Sequence, residues 1–283
     1  MTASARACPA CESEASSWAF VVHGFPHVEC ASCGTLFVSP LPDDETIRAI
    51  YIQPDYHHGV ELSADRMLGE ARARATIVHG RGCDSLLEIG CGAGYFLDAC
   101  AELGIRAEGV DGGPTGARAR ARGLVVHDTW VDDFEPLRGF DALAMWEVIE
   151  HLPRPISVLE RLRTFVRPGA TLALSTPSWS GLPAKILGRR FPMITPPEHL
   201  TLFTRDGLER LLARAGFRPF RWRSFSGLDR PAIARNLQRY FLGDSGPAAA
   251  AAGVLAQAGS LPVRWVDRAG LGTSFELYAE ALA

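Results

Sequence analysis

Lysine is almost absent: of the 29 basic residues only Lys185 is one, and the rest are arginines. Together with abundant alanine this reads as the compositional bias of a GC-rich genome, so a chemical role is not required of each arginine. Excess charge of either sign is lacking too. The formal net charge is −3, with no run of like charges, which removes the electrostatic footprint expected of a nucleic-acid or anionic-membrane binder. No stretch approaches the roughly 18 uninterrupted apolar residues of a membrane span, and the opening MTASARACPACESE has no apolar core of an export signal. The expectation is a cytoplasmic protein without membrane attachment. What remains is ordinary globular material: 283 residues at 47% hydrophobic content suit one large domain with an appendage or two modest domains.

A disulfide framework is a further absence in such a compartment, so the spacing of the seven cysteines matters more than their number. Four fall in two C-x-x-C hooks, Cys8 with Cys11 and Cys30 with Cys33, separated by 18 residues. Each hook turns two thiolates toward one ion, and four thiolates make the closed tetrahedron of structural zinc, whose binding folds such a ribbon. Cys83, Cys91 and Cys100 lack this spacing and read as small packing residues.

Pro40 and Pro42 break the chain after the ribbon, and Asp43 or Asp44 caps a short helix ending near Tyr51. A second helix is expected from a Ser63 cap to Gly80. The boundaries are thus a zinc-ribbon module over 1–42, a helical linker or lid over 43–82, and a main domain over 83–283. From residue 85 short apolar runs (SLLEI, RAEGV, LVVHD, FDALAMW) alternate with helical stretches starting near 94 and 114. That alternation argues for a parallel sheet covered on both faces, with the ligand at the carboxyl ends of the strands. In LLEIGCGAGYFL, Gly90, Gly92 and Gly94 form a tight turn between a strand ending in Glu88 and a helix. Alone this is a weak signal. The next strand ends at Asp111, the distance at which an acidic residue reaches ribose hydroxyls, whereas Tyr95 breaks the dinucleotide spacing.

LLEIGCGAGYFL, GVDGGPTGARAR, FDALAMWEVIEHLPRP and VRPGATLALSTP, in this order, resemble the motifs of class I S-adenosylmethionine-dependent methyltransferases over roughly 84–225. The resemblance implies an α/β, Rossmann-like seven-stranded sheet in the order 3-2-1-4-5-7-6, its last strand TSFELYAEAL inserted antiparallel, with a helical insertion at about 229–270. It also implies that Gly90, Gly92 and Gly94 cradle the methionine end of S-adenosylmethionine, with Glu88 orienting its amino group. Asp111 would then hold the ribose diol, Asp133 and Phe134 flank adenine, and Trp146 lie beside the methionine. For Phe134 plain core packing competes, as a turn carboxylate does for Asp111. Tyr51, Tyr56 and His57 are candidates for closing over the cofactor.

The tripeptide Glu-His-Leu occurs twice, at Glu150-His151-Leu152 and Glu198-His199-Leu200. His151 follows the fourth strand of the expected sheet, at its mouth, where it caps the next helix or meets the acceptor. Glu198 and His199 lie in a long, proline- and glycine-rich loop after the fifth strand, too long for a minimal connection. That loop and the ribbon are similar, more distantly, to zinc-containing sugar C-methyltransferases, which place a Glu-His pair and a histidine at these positions; this chain lacks their additional C-terminal domain. The candidate catalytic residues are therefore His199, Glu198 and His151, assisting deprotonation of a small-molecule acceptor of specialised, natural-product or sugar metabolism. Two alternatives stand beside this. One is an rRNA-type methyltransferase using the zinc module and the arginines Arg189, Arg190, Arg218, Arg221 and Arg223 on phosphates, disfavoured by the balanced charge. The other is a non-catalytic cofactor-binding protein. The 229–270 insertion is a candidate lid or homodimer face.

Overall fold

The computed structural model describes residues 6–53, 64–226, 246, 247, 251 and 263–283. Tyr56, His57, the Ser63 cap and most of the 229–270 insertion lie outside the described residues.

The alternating region folds as the sequence dictates. Strand β4 (Ser85–Ile89) is buried at every position, as a central parallel strand must be. On one side it pairs in parallel with β5 (Arg106–Val110), and β5 with β6 (Val126–His127); on the other it pairs with β7 (Phe140–Trp146), and β7 with β8 (Val166–Pro177). Strand β11 (Ser274–Ala281) is antiparallel to β8 and to β10 (Phe217–Phe225). The sheet order β6-β5-β4-β7-β8-β11-β10 is the expected 3-2-1-4-5-7-6. Helices α2 (Ala64–His79) and α3 (Tyr95–Glu102) cover one face, where Ala71, Ala75, Val78 and Phe96 pack with Tyr278. Helices α5 (Pro155–Thr164) and α7 (Arg205–Arg214), with the short α6 (Leu182–Leu187) between them in the chain, follow; α5 and α7 cover the other face, where Leu159, Leu162, Leu208 and Leu211 join the core. Two further helices, α1 (Asp44–Tyr51) and α4 (Pro114–Ala121), border the carboxyl ends of the strands. Of the two candidates ahead of α1, Asp43 is the cap, accepting from Thr46 N–H at 2.7 Å, and Thr204 caps α7 in the same way, accepting from Gly207 N–H at 3.0 Å. Among the described residues no helix is long and apolar enough to cross a membrane.

One buried ion pair ties α2 to the sheet. Arg74 Nε donates to Glu276 Oε2 at 3.0 Å, and its guanidinium lies 4.2 Å from the Trp146 ring centroid. Glu276 is 2% exposed, so removing its main partner strands a charge, with only Tyr278 Oη at 3.1 Å and Arg223 at 3.8 Å left to it. Arg74→Met is expected to lower the urea-derived stability by about 3 kcal/mol, the low end for a broken buried pair, and adding Glu276→Leu to recover much of it. No recovery in the double variant would mean that packing on Trp146, not charge, carries the effect.

The ribbon is less separate than its sequence suggests. Strands β1 (Ser16–Val22), β2 (Phe25–Cys30) and β3 (Leu36–Val38) form an antiparallel sheet whose fourth strand is β9 (Thr201–Leu202), directly after Glu198-His199-Leu200. Cys8, Cys30, Cys33 and Phe37 belong to the same hydrophobic cluster as Leu87 and Leu143 of the main sheet. At Gly207 on α7 an added Cβ would stand 2.1 Å from Thr35 Oγ1, so the ribbon rests on that helix at glycine distance.

Candidate active site

At the carboxyl end of β4 the chain turns through Gly90, Gly92 and Gly94 at φ +66°, +51° and +80°, conformations that favour glycine. A Cβ on Gly90 would meet Val148 at 2.8 Å, and one on Gly94 would meet Leu124 at 2.4 Å. At Gly92 nothing among the described residues lies within 4 Å of that position, so its backbone is bared. The Asp111 carboxylate fixes the turn: Oδ2 accepts from Gly92 N–H and Oδ1 from Gly113 N–H, each at 2.8 Å. Both oxygens keep acceptor capacity.

These residues open onto a cleft that is also lined by Arg48, Tyr51, Trp130, Asp132, Glu147 and His151. Of the expected cofactor residues, Gly90, Gly92 and Asp111 line it. Gly94 lies below the wall as the N-cap residue of α3. Glu88 and Trp146 lie behind it, each with a buried side-chain atom that has no hydrogen-bond partner among the described residues, Oε2 of Glu88 and Nε1 of Trp146. Burial pushes the Glu88 carboxyl well above the usual range, against the pull of Arg74. Asp133 is exposed and is not brought to the wall. Phe134 packs inward, 4.8 Å from the His127 ring and 6.1 Å from that of Phe165. The wall expected of this pair is made instead by Trp130 and Asp132 on either side of Val131. Trp130 lies 6.2 Å from the Tyr51 ring and beneath the Arg48 guanidinium at 5.7 Å.

The donor set fits S-adenosylmethionine. A bared glycine backbone suits close approach, Asp111 offers acceptors for a diol, and the buried Glu88 carboxyl, with Oε2 unpartnered among the described residues, suits an ammonium.

The two Glu-His-Leu segments come together. His151 closes the single 3-10 turn Ile149–His151, and its ring lies 4.7 Å from that of His199. His151 Nδ1 donates to the Glu198 carbonyl at 3.0 Å, and His199 Nδ1 to the Met193 carbonyl at 2.7 Å. Tyr51 Oη also donates to the Glu198 carbonyl, at 3.2 Å. Burial, reinforced by the charges of Glu198 and Glu150, raises the Tyr51 phenol, which stays a donor at neutral pH. Among these three candidates only His151 lines the cleft; His199 stands against it, and Glu198 contributes its carbonyl. Glu150, not singled out from the sequence, is fully buried, and burial together with the nearby Glu147 charge pushes its carboxyl well up.

The ribbon holds this junction in place. Leu200 N–H donates to the Glu150 carbonyl at 2.9 Å, while the Leu200 carbonyl accepts from Val38 N–H at 3.0 Å. Arg6 spans the same seam, donating to the carbonyls of Val38, Pro153 and Leu200 at 2.9, 3.0 and 3.2 Å. Burial lowers its pKa only to about 10, so the three carbonyls meet a full cation. In the ribbon itself Sγ of Cys8 and Cys33 lie 3.7 Å apart and those of Cys11 and Cys30 3.6 Å. A metal–sulfur distance of about 2.3 Å makes a tetrahedron with edges of about 3.8 Å, so the four thiols already stand at ligand spacing.

A family model described as "Methyltransferase domain" matches residues 56–220, more than half of the chain. Ubiquinone biosynthesis O-methyltransferase of Xanthomonas campestris pv. campestris is 34% identical over 100 residues, covering 32% of this chain and 42% of its own length. The chain thus spans less than half of that relative. The protein of the same description from Bradyrhizobium sp. is 25% identical over 171 residues, covering 51% of this chain and 67% of its own. Among solved structures, a SAM-dependent methyltransferase from Archaeoglobus fulgidus aligns with a TM-score of 0.54 at 20% identity, covering 77% of this chain and 94% of that one, a likeness of fold.

Proposed function

The chain belongs to the methyltransferase domain family, and from that membership we propose that it transfers the methyl group of S-adenosylmethionine to a hydroxyl-bearing small molecule of specialised or sugar metabolism. The observation that carries this reading is the bared glycine turn pinned by Asp111, opening onto a cleft bordered by His151. The description of the relatives as O-methyltransferases favours oxygen as the acceptor atom.

Gly90 and Gly92 would admit the cofactor against bare backbone, Asp111 accept from its ribose hydroxyls, and Glu88 pair with its amino group. Trp130 and Tyr51 would flank the base in place of Asp133 and Phe134. When bound, the cofactor supplies an electrophilic methyl on a positively charged sulfur. The protein's remaining task is to hold the acceptor in line behind that methyl and to relieve it of a proton. Glu150, His151 and His199 form the cluster through which that proton is lost, and the carbonyls of Glu198 and Met193 fix the orientation of the two imidazoles. The four ribbon cysteines would hold structural zinc and, through β3 and β9, set the position of His199.

His199→Ala is expected to lower kcat by about 10²–10⁴-fold, the usual worth of a proton-handling group, while S-adenosylhomocysteine still binds. The measurement is turnover on an acceptor panel beside calorimetric binding; full turnover in the variant would remove His199 from the reaction. Of the five arginines of the RNA reading, three have partners within the protein: Arg218 pairs with Glu280, Arg223 with Glu276, and Arg221 lies over the Tyr278 ring.

A further inference from the structure

We propose that Glu150, His151 and His199 form a second metal site, separate from the four-cysteine cluster, which takes a divalent first-row cation and offers it to the acceptor oxygen. The proposal rests on the methyl-transfer reading above and specifies how the acceptor loses its proton.

Three kinds of observation converge. The first is placement: one ring nitrogen from each histidine and a carboxylate oxygen of Glu150 all lie within 4.8 Å of one another, with His151 Nε2 3.9 Å from Glu150 Oε1. The second is tautomer. A backbone carbonyl can only accept, so the bonds from His151 Nδ1 to Glu198 and from His199 Nδ1 to Met193 put a proton on each Nδ1 and leave the lone pair of the neutral ring on Nε2. Metal-binding histidines are oriented in this way, the non-ligating N–H held by a carbonyl or carboxylate. The third is the carboxylate. Thr176 Oγ1 donates to Glu150 Oε2 at 2.9 Å and fixes the group, whereas Oε1, in a fully buried residue, has no hydrogen-bond partner among the described residues. A buried carboxylate oxygen without a donor, beside two imidazole lone pairs, is costly by itself and becomes favourable around a cation.

The ligands are also held rigidly. Glu150 and His151 sit on one 3-10 turn, His199 is adjacent to Leu200, and the two segments are joined by the bond from Leu200 N–H to the Glu150 carbonyl and by Arg6. Two imidazoles and one carboxylate are a nitrogen–oxygen set that suits zinc, cobalt, iron or manganese better than calcium, and three protein ligands leave coordination positions open. His151 also lines the cleft, so the set borders the space the acceptor enters. A hydroxyl bound to the cation is acidified. Its proton leaves to solvent water, an oxygen lone pair forms the new bond to the methyl carbon, and the methyl–sulfur bond breaks with its electron pair going to sulfur to give S-adenosylhomocysteine.

The test is metal content of the full chain. Protein dialysed against a chelator and then, in separate samples, against Co²⁺ or Zn²⁺ is analysed for metal and, in parallel, for S-adenosylhomocysteine affinity. The expected result is one zinc that survives the chelator, held by the cysteines, and one further ion taken up per chain. Glu150→Gln and His199→Gln should each weaken that second uptake by about 100-fold or more, a ligand mattering at least as much as its supporting groups, while the retained zinc reports a folded ribbon. Should one variant fail to fold, the other carries the comparison, and the wild-type stoichiometry stands by itself. Absence of a second equivalent in the wild type at millimolar Co²⁺ and Zn²⁺, or undiminished uptake in both variants, overturns the site. Methyl transfer without any second ion would overturn this proposal and leave the methyltransferase reading standing. A second ion in a protein that never binds S-adenosylhomocysteine would overturn that reading and leave the metal site.

Discussion

Replacing Cys30 with serine is expected to lower turnover steeply by distorting the loop over 191–203, far along the chain. The variant should lose the zinc proposed for the four cysteines, because three thiolates and a hydroxyl hold an ion far less tightly than four thiolates, and because binding to such a site is worth on the order of 10 kcal/mol of folding energy in isolated ribbons. Without the ion, the two hooks that β2 and β3 depend on lose the link that joins them to each other. Leu36 and Phe37 of β3 are the register partners of Leu202 and Thr201 in β9, and the Val38 N–H caps the Leu200 carbonyl. Thr204, whose hydroxyl donates to the Cys33 carbonyl, would be released at the same time. His199 therefore loses its support on the ribbon side while the glycine turn, on another strand, is untouched. The expected outcome is a fall in turnover of about 100-fold or more, with S-adenosylhomocysteine affinity changed by less than about tenfold, a split that reflects misplacement of an acceptor-side group. Limited proteolysis should cut near 191–203 in the variant and spare that segment in the parent. Normal turnover in a zinc-free protein would show that the ribbon supports nothing in the active site.

Asp111→Ala should have the largest effect on the cofactor itself. Its two oxygens accept from Gly92 and Gly113 at 2.8 Å, and charge-assisted bonds of this kind contribute about 1.5–3 kcal/mol each. The substitution removes the anchor of the glycine turn together with the acceptors proposed for the ribose diol. A rise of at least about 100-fold in the S-adenosylhomocysteine Kd is expected, equivalent to about 2.7 kcal/mol, measured by calorimetry. Asp111→Asn keeps one acceptor oxygen but sets an amide N–H₂ against one of the two backbone donors, so about tenfold weakening is expected even there. A Kd within threefold of the parent in the alanine variant would end the ribose assignment.

What could be read directly from the residues follows a physical pattern. The central strands β4, β5, β7 and β8 and the helices between them are specified by local apolar runs and glycine turns, and α1 by its Asp43 cap, and these emerged at the expected places. The cysteine hooks were equally legible, because metal spacing is a local property. Contacts between distant segments were not. β9 is two residues long, and nothing in Thr201-Leu202 announces a partner at Leu36-Phe37. The wall of the cleft was missed by a rotation: in the 3-10 turn Val131–Asp133 successive side chains point about 120° apart, so counting along WVDDF does not tell which acid meets the cleft. Asp132 does, and Phe134, already beyond the turn, drops into the core. Glu150 was hidden differently. An acid next to a histidine at the mouth of a sheet looks solvated, and its complete burial comes with partners distant in sequence, Thr176 donating to its carboxylate and Leu200 N–H to its carbonyl.

The strand shared by ribbon and loop also constrains how this scaffold can be re-engineered. A chimera that imports the acceptor loop of a relative without its ribbon, or the ribbon without the loop, inherits an unpaired edge at β3 or β9 and an Arg6 guanidinium with fewer carbonyls to meet. Residues 6–38 and 191–204 therefore form one exchangeable cassette, although most of the catalytic domain lies between them in the chain, and acceptor preference is expected to transfer only when both pieces move together.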